Sequence, residues 1–135
     1  MARAERAAIA ALALALAASG CGAGHNGDET AVRNVVNRWV GAVAGHDGTA
    51  ACAPLSTTLR KRIARHLLGE GVKGDCNVWA ARWVSPRHPA SHRAARITTV
   101  RIHGSRATVT LTAPGVPDGS ATLVKEDGRW RIDDF

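Results

Sequence analysis

Residues 100–111 read VRIHGSRATVTL, and this stretch decides the fold. Its apolar residues recur at every second position on both sides of Gly104-Ser105. That pattern predicts two half-buried antiparallel strands joined by a tight turn. The C-terminal part of the chain therefore contains a β-hairpin.

The same period of two continues beyond this hairpin. Residues from Pro114 to Gly119 are predicted as a second turn, and alternation resumes over residues 121–125. Asp127-Gly128 is a strong hairpin signal, and residues 129–132 alternate as its second strand. We therefore expect a meander of four antiparallel strands.

Three helices are predicted before the strands. The first begins at Asp28 or Glu29, whose charge favours a helix N-terminus, and it ends at Gly45. Its apolar residues occupy one helical face. They are Val32, Val35, Val36, Trp39, Val40 and Val43.

Two further helices and one short helical piece follow. The short piece runs from Thr49 to Leu55. Ser56 is predicted to cap the second helix, and Gly69 and Gly71 are predicted to end it. Asp75 is predicted to cap the third helix. The inner side of the third helix carries Cys76, Trp79, Ala80 and Trp83. Residues 85–92 are predicted as a loop between the helices and the strands. Because helices precede a meander, the predicted fold class is α+β, with the helices packed on one face of the sheet.

The N-terminal residues have the parts of a secretory signal. Arg3 and Arg6 precede an uncharged run over residues 7–18, which is too short to span a bilayer of about 30 Å comfortably. Ser19-Gly20-Cys21 is similar to the lipobox of bacterial lipoproteins, in which the cysteine is lipidated, although Ala18 stands where that box most often has Leu. The alternative is an ordinary signal cut after Ala17, which leaves Cys21 as a plain thiol.

These features predict three segments of chain. Residues 1–20 are the signal peptide, residues 21–27 are the lipidated Cys21 with a flexible tether, and residues 28–135 are a single domain. The protein is then exported and held by its lipid at the outer face of the cytoplasmic membrane.

Two cysteines remain once Cys21 is assigned to lipid. Cys52 and Cys76 form an even count in an exported protein, where disulfides persist, so a bridge between them is the economical interpretation. The alternatives are two buried thiols, or a zinc site with His66 as a third ligand. Because no CxxC or close His pair accompanies these cysteines, the sequence gives zinc little support.

The order of elements resembles the nuclear transport factor 2-like superfamily, in particular its small actinobacterial lipoproteins. The resemblance covers about residues 28–135 and rests mainly on the first helix closed by Gly-His-Asp-Gly (45–48) and the last hairpin, LVKEDGRWRID (123–133). It implies a cone-shaped domain in which helices cover a strongly curved sheet. Members use the cavity for isomerisation, dehydration or epoxide hydrolysis, or for binding and pairing alone.

No catalytic residue transfers from that superfamily. Its isomerases use an acidic base with a Tyr or protonated Asp, and its dehydratases use Tyr, His and Asp, whereas this chain contains no Tyr. His88 and His92 have a metal-ligand spacing, but Pro86 and Pro89 make a helix there improbable. We therefore expect no catalytic residue, no metal and no cofactor.

Two sets of side chains are candidate binding residues. The first set is the tryptophans, which either fill the core or wall a pocket for an apolar ligand: Trp39, Trp79, Trp83 and Trp130. The second set is either a solvated helix face or a polyanion patch: Arg60, Lys61, Arg62 and Arg65.

The leading hypothesis is a non-catalytic, lipid-anchored envelope protein that binds a partner protein or a small apolar ligand. The alternatives are an isomerase or dehydratase of the same fold, and electrostatic binding to anionic envelope polymers. The formal net charge is +7, but the absence of long basic runs argues against nucleic acid as a partner. The resemblance also implies a homodimer through the sheet.

Overall fold

The structure, a computed structural model, describes residues 23–84 and 94–135, with side chains from residue 26 onward. The predicted signal segment, Cys21 and the loop with His88 and His92 lie outside the described residues. Within these ranges, four helices and four strands follow one another. They are α1 (Ala23–Ala44), α2 (Gly48–Cys52), α3 (Thr57–Gly69), α4 (Cys76–Trp83), β1 (Arg96–His103), β2 (Arg106–Ala113), β3 (Val116–Glu126) and β4 (Arg129–Asp134).

Helix α1 begins earlier than the sequence pattern predicts. It starts at Ala23, so residues 23–27 are helical although we expected them to belong to the tether. Adding a residue to an existing helix is far easier than nucleating one, and the packed residues farther along α1 supply the nucleus. Asp28 therefore lies inside the helix and not at its N-terminus.

The helix caps follow the predicted chemistry. The Ser56 hydroxyl accepts a hydrogen bond from the Leu59 backbone N–H at 2.9 Å, which caps α3. Asp75 caps α4 by accepting from the Asn77 backbone N–H at 2.9 Å. Asp47 caps α2 in the same way. These local bonds fix the residues at which α2, α3 and α4 begin.

The sheet has the order β1-β2-β3-β4, and all neighbours are antiparallel. The predicted α+β class, with helices before a four-stranded antiparallel sheet, is confirmed. Each strand pair contains one register shift, and such bulges bend the strands that carry them. Asp127 and Gly128 both have positive φ, as a tight hairpin turn requires.

The second turn is shorter than predicted. It lies at Pro114-Gly115, where the φ of Gly115 is +74°, and β3 already begins at Val116. Strand β4 pairs with residues 122–126 of β3, so among the described strands the first half of β3 has β2 as its one neighbour. Pro117 is tolerated there because a strand edge does not need its missing N–H.

The outer edge of β4 is covered by the segment between α2 and α3. Leu55 forms a parallel bridge with Ile132, and the Ser56 N–H donates to the Ile132 carbonyl at 2.7 Å. The Ile132 N–H in turn donates to the Pro54 carbonyl at 2.9 Å. These bonds hold the start of α3 against β4.

The core lies between the helices and one face of the sheet. The predicted apolar face of α1 is buried, apart from the half-buried Val40. The sheet contributes alternating residues, as its period of two requires. Those that are at most 2% exposed are Ala107, Val109, Ala121, Leu123 and Ile132.

Candidate functional site

Two concave regions lie near opposite ends of β4, and one tryptophan lines each of them. Trp130, near the start of β4, lines the larger region, and Trp79 lines the smaller one beside Asp134, the last residue of the strand. Four residues of extended strand separate these positions by about 13 Å. The structure thus brings Trp39, Trp79 and Trp83 together with Phe135 and leaves Trp130 apart.

The larger region is a groove of about 910 Å³ between α1, the end of α2 and β4. Small and apolar side chains form much of its surface: Ala31, Val35, Ala42, Ala50, Ala53, Pro54 and Trp130. Four cationic residues and one carboxylate also line it: Arg38, Lys125, Arg129, Arg131 and Asp28. We call this region the α1–β4 groove. Its lining combines an apolar surface with an excess of positive charge.

Asp28 ties the two walls of this groove together. Its Oδ1 accepts hydrogen bonds from Lys125 Nζ at 2.7 Å and from Trp130 Nε1 at 3.0 Å. The ammonium of Lys125 also lies 5.3 Å from the centre of the Trp130 ring, within cation–π range. Sequence reasoning missed this role, although Asp28 precedes Val32 by four residues and so shares the buried face of α1.

The smaller region has a volume of about 240 Å³ and lies between α3, α4 and the end of β4. Apolar and polar side chains both line it: Leu59, Ile63, Trp79, Phe135, Arg62, His66 and Asp134. We call it the aromatic pocket. Sequence analysis did not single out Phe135, and the residue has no local pattern that marks it.

Aromatic side chains continue outward from this pocket. Trp79 and Trp83 stack with ring centres 5.3 Å apart, and Phe135 lies against both. Trp39 is buried beneath Phe135 at 4.8 Å. Trp83, which the sequence pattern places on the inner side of α4, is 50% exposed. It is the last residue of α4.

The basic cluster on α3 is partly engaged in internal contacts. Arg60 donates to the carbonyls of Cys52, Leu55 and Ala53, at the end of α2 and just beyond it. Arg62 binds the carbonyl of Asp133 and the carboxylate of Asp134. Lys61 and Arg65 are exposed, and neither forms an ion pair with another described residue. Two of the four predicted patch residues thus hold the fold together.

The predicted Cys52–Cys76 disulfide is present, with Cα atoms 5.9 Å apart. It joins the last residue of α2 to the first residue of α4. Cys52 and Cys76 are therefore neither free thiols nor zinc ligands.

The outer face of the sheet carries polar side chains. Thr99, Arg101, Arg106 and Thr108 are exposed, while Ala107 between them is buried against the helices. Register brings Arg101 opposite Thr108. The resemblance predicts a homodimer through the sheet, and this prediction stays untested.

Over residues 23–84 and 94–135, no three His, Cys, Asp or Glu side chains are grouped as a metal site would require. In the same ranges, no helix has the length and apolar character needed to cross a membrane.

Comparison with known proteins adds no family. No family model matches the chain, and a search of curated proteins finds no significant match. The assignment of function therefore rests on the geometry of the groove, the pocket and their charges.

Proposed function

We propose that this protein is a non-catalytic binding protein of a bacterial envelope, anchored by lipid at Cys21, and that the α1–β4 groove takes an amphipathic anion. The ligand has an apolar chain and a carboxylate or phosphate head, as a fatty acid or a phospholipid does. The observation that carries this proposal is the lining of the groove, where an apolar surface is joined to four cationic residues.

The chemistry of the groove supports such a ligand over a purely apolar one. Ligand sites are mostly apolar with a few placed polar groups that fix orientation. Arg38 and Arg129 are exposed on the lining, whereas Lys125 already pairs with Asp28. Guanidinium groups suit carboxylates and phosphates because they donate in a planar fork.

The start of α1 lies close in sequence to the proposed anchor at Cys21. The helix begins at Ala23, two residues after Cys21, so a lipid on that cysteine lies within about 7 Å of the helix along the chain. Asp28, at one end of the groove, follows within the next two turns of α1, and the groove extends along the helix as far as Ala42. A lipid-anchored form therefore holds the Asp28 end of the groove close to the bilayer, where amphipathic ligands are concentrated.

The same proposal includes membership of the nuclear transport factor 2-like superfamily. Helices followed by a bent antiparallel meander are compatible with that superfamily. In this groove, the isomerase or dehydratase alternative has to use Asp28, the acidic residue on the lining. The Oδ1 of Asp28 already accepts two hydrogen bonds, which favours binding over proton transfer.

The groove is tested by crosslinking in membranes that carry the full chain. A photoactivatable palmitate is compared with its uncharged methyl ester. We expect the acid to label peptides from residues 28–42 or 125–131 several-fold more than the ester. The double variant Arg38→Gln with Arg129→Gln should lose this preference, and Lys61→Gln with Arg65→Gln, which removes the same charge from α3, should keep it.

Equal labelling by acid and ester, or labelling confined to other peptides, contradicts the groove assignment. The anchor is tested separately. The N-terminal peptide of the mature protein should begin at Cys21 with the added mass of its acyl chains, and Cys21→Ser should move the protein into the aqueous fraction. An unmodified Cys21 contradicts the anchor and leaves the groove assignment standing.

A further inference from the structure

The aromatic side chains beyond the small pocket form an exposed surface. Trp83 is 50% exposed and Phe135 is 39% exposed, and both belong to the same cluster as the half-buried Trp79. Large side chains in contact with each other and open to solvent mark interaction sites more often than scattered ones do. The Trp79 and Trp83 rings stack face to face, with their planes 18° apart, so Trp83 extends the aromatic wall outward from Trp79.

The aromatic pocket adds polar groups directly beside this surface. Arg62, His66 and Asp134 line it together with Trp79 and Phe135. A concave site with an aromatic wall and a few placed polar groups is typical of small-ligand sites. Its volume of about 240 Å³ suits one small ring and not a segment of a partner protein.

The charges around the pocket are balanced by one another. Arg62 pairs with Asp134 at 2.8 Å, and Glu70 pairs with His66 at 3.1 Å and with Arg82 at 3.8 Å. Arg62 and Arg82 thus offset Asp134 and Glu70, so the rim carries no strong net charge. A polyanion or an anionic membrane is a poor match for such a rim.

The same ion pairs suit an uncharged ligand that is rich in hydroxyl groups. The side chains of the three pairs are between 48% and 65% exposed, so their outer lone pairs and N–H groups remain accessible. A hydroxyl both donates and accepts, and it can bind a carboxylate and a guanidinium at once. A sugar ring carries such hydroxyls at its edge and C–H groups on its face.

If Cys21 carries the proposed lipid anchor, the position of the aromatic cluster along α1 determines what the cluster can reach. Trp39 lies under Phe135, and the helix from Ala23 to Trp39 is about 24 Å long. The aromatic cluster is therefore far along α1 from the end that carries Cys21. An anchored domain presents it away from the attachment point, where polysaccharides of the envelope are accessible.

We propose that the aromatic pocket, together with the Trp79–Trp83 surface, is a binding site for a neutral sugar ring of an envelope polysaccharide. The indole and phenyl faces stack on the C–H face of the ring. Arg62, Asp134 and His66 hydrogen-bond its hydroxyls. No bond is made or broken, and the site is separate from the α1–β4 groove.

The test uses the full chain in a non-ionic detergent without a sugar head group. It is applied to an array of immobilised neutral hexose and pentose oligosaccharides, with heparin and phosphatidylglycerol vesicles as anionic probes. We expect binding to at least one neutral oligosaccharide, little change in that binding between low and high salt, and no preference for the anionic probes. Trp83→Ala should weaken the binding by about tenfold or more.

Two variants separate recognition from folding. Asp134→Asn changes a rim acceptor that is 62% exposed, and it should also weaken binding while the protein remains folded. Leu68→Ala is the matched control, because Leu68 is 60% exposed on α3 but does not line the aromatic pocket. It should bind as the wild type does.

Several outcomes overturn the proposal. They are the absence of binding to every neutral oligosaccharide, binding that Trp83→Ala and Leu68→Ala weaken equally, and binding of heparin or the vesicles alone. Crosslinking of Trp83 peptides to an envelope protein, without sugar binding, assigns the surface to a protein partner instead. None of these results depends on whether Cys21 is lipidated or the groove binds an anion.

Discussion

The carboxylate of Asp28 is expected to be the strongest single polar link between α1 and the last hairpin. It accepts from Lys125 and from Trp130, and Trp130 is only 4% exposed. Replacing Asp28 with Ala leaves the indole N–H without this acceptor and Lys125 without its carboxylate. Because Ala favours helix more than Asp does, the substitution does not weaken α1 itself.

The magnitude follows from the burial of the three side chains. A buried donor that loses its acceptor costs about 1–3 kcal/mol. The Lys125–Asp28 pair is 33% and 28% exposed, so solvent screens it and it contributes at most about 1 kcal/mol more. We therefore expect Asp28→Ala to lower the free energy of unfolding by about 2–3 kcal/mol, which for a domain of this size lowers Tm by about 10 °C.

The neighbouring carboxylate is a matched control. Glu29 lies on the same helix and pairs with Arg33 at 2.8 Å, with side chains 45% and 38% exposed. Such a surface pair contributes about 0.3–0.5 kcal/mol, so Glu29→Ala should change stability little. Asp28→Asn should be intermediate, because its amide oxygen still accepts from Trp130 but its charge is lost.

The assay is urea unfolding of the full chain, followed by far-UV circular dichroism and by tryptophan fluorescence. A shift of the midpoint without a change of slope identifies a change of stability alone. If Asp28→Ala and Glu29→Ala destabilise the protein by the same small amount, the link between α1 and the hairpin is not a stabilising contact. In that case Asp28 does not hold the two walls of the α1–β4 groove together.

Three further predictions concern α2, α3 and α4. Cys52→Ser with Cys76→Ser opens a loop of sequence separation 24 and should cost about 3–4 kcal/mol, and a reductant should lower the wild-type midpoint in urea to that of the variant. Ser56→Ala removes a fully buried hydroxyl that caps α3 and donates to a β4 carboxylate. Thermal unfolding should therefore show that the free energy of unfolding falls by about 2 kcal/mol, and an unchanged Tm would contradict the role of Ser56 as a cap. Arg60→Ala should destabilise by about 1 kcal/mol because its guanidinium binds backbone carbonyls, and Lys61→Ala, one residue away and exposed, should stay within about 0.5 kcal/mol in the same urea titration.

Much of the fold was predictable because its determinants are local. The side chains of Ser56 and Asp75 cap α3 and α4 through neighbouring backbone N–H groups, which are set by a few residues of sequence. Asp127-Gly128 supplies the two positive φ angles of its turn. Period-two alternation in β2 placed Ala107 and Val109 on the buried face.

The errors arose where a distant segment decides the outcome. Asp28 was assigned to the start of a helix, but its partners Lys125 and Trp130 are about 100 residues away. Arg60 and Arg62 are exposed, as the solvated-face interpretation predicts, but the sequence does not show that the turn after α2 and the end of β4 also provide acceptors for them. Charged side chains with long stems can reach partners that no local pattern records.

The sequence by itself determined the α+β class, the Cys52–Cys76 pairing as the economical choice, and the candidate aromatic residues. These follow from periodicity, turn chemistry and an even cysteine count, which act over short stretches of chain. Only the tertiary structure decided that Trp130 belongs to a groove beside α1, whereas Trp79 and Trp83 meet Phe135 at the other end of β4. The reason is that side chains far apart in sequence converge only when the strands and helices pack, and sites built from such convergence have no signature in any one segment.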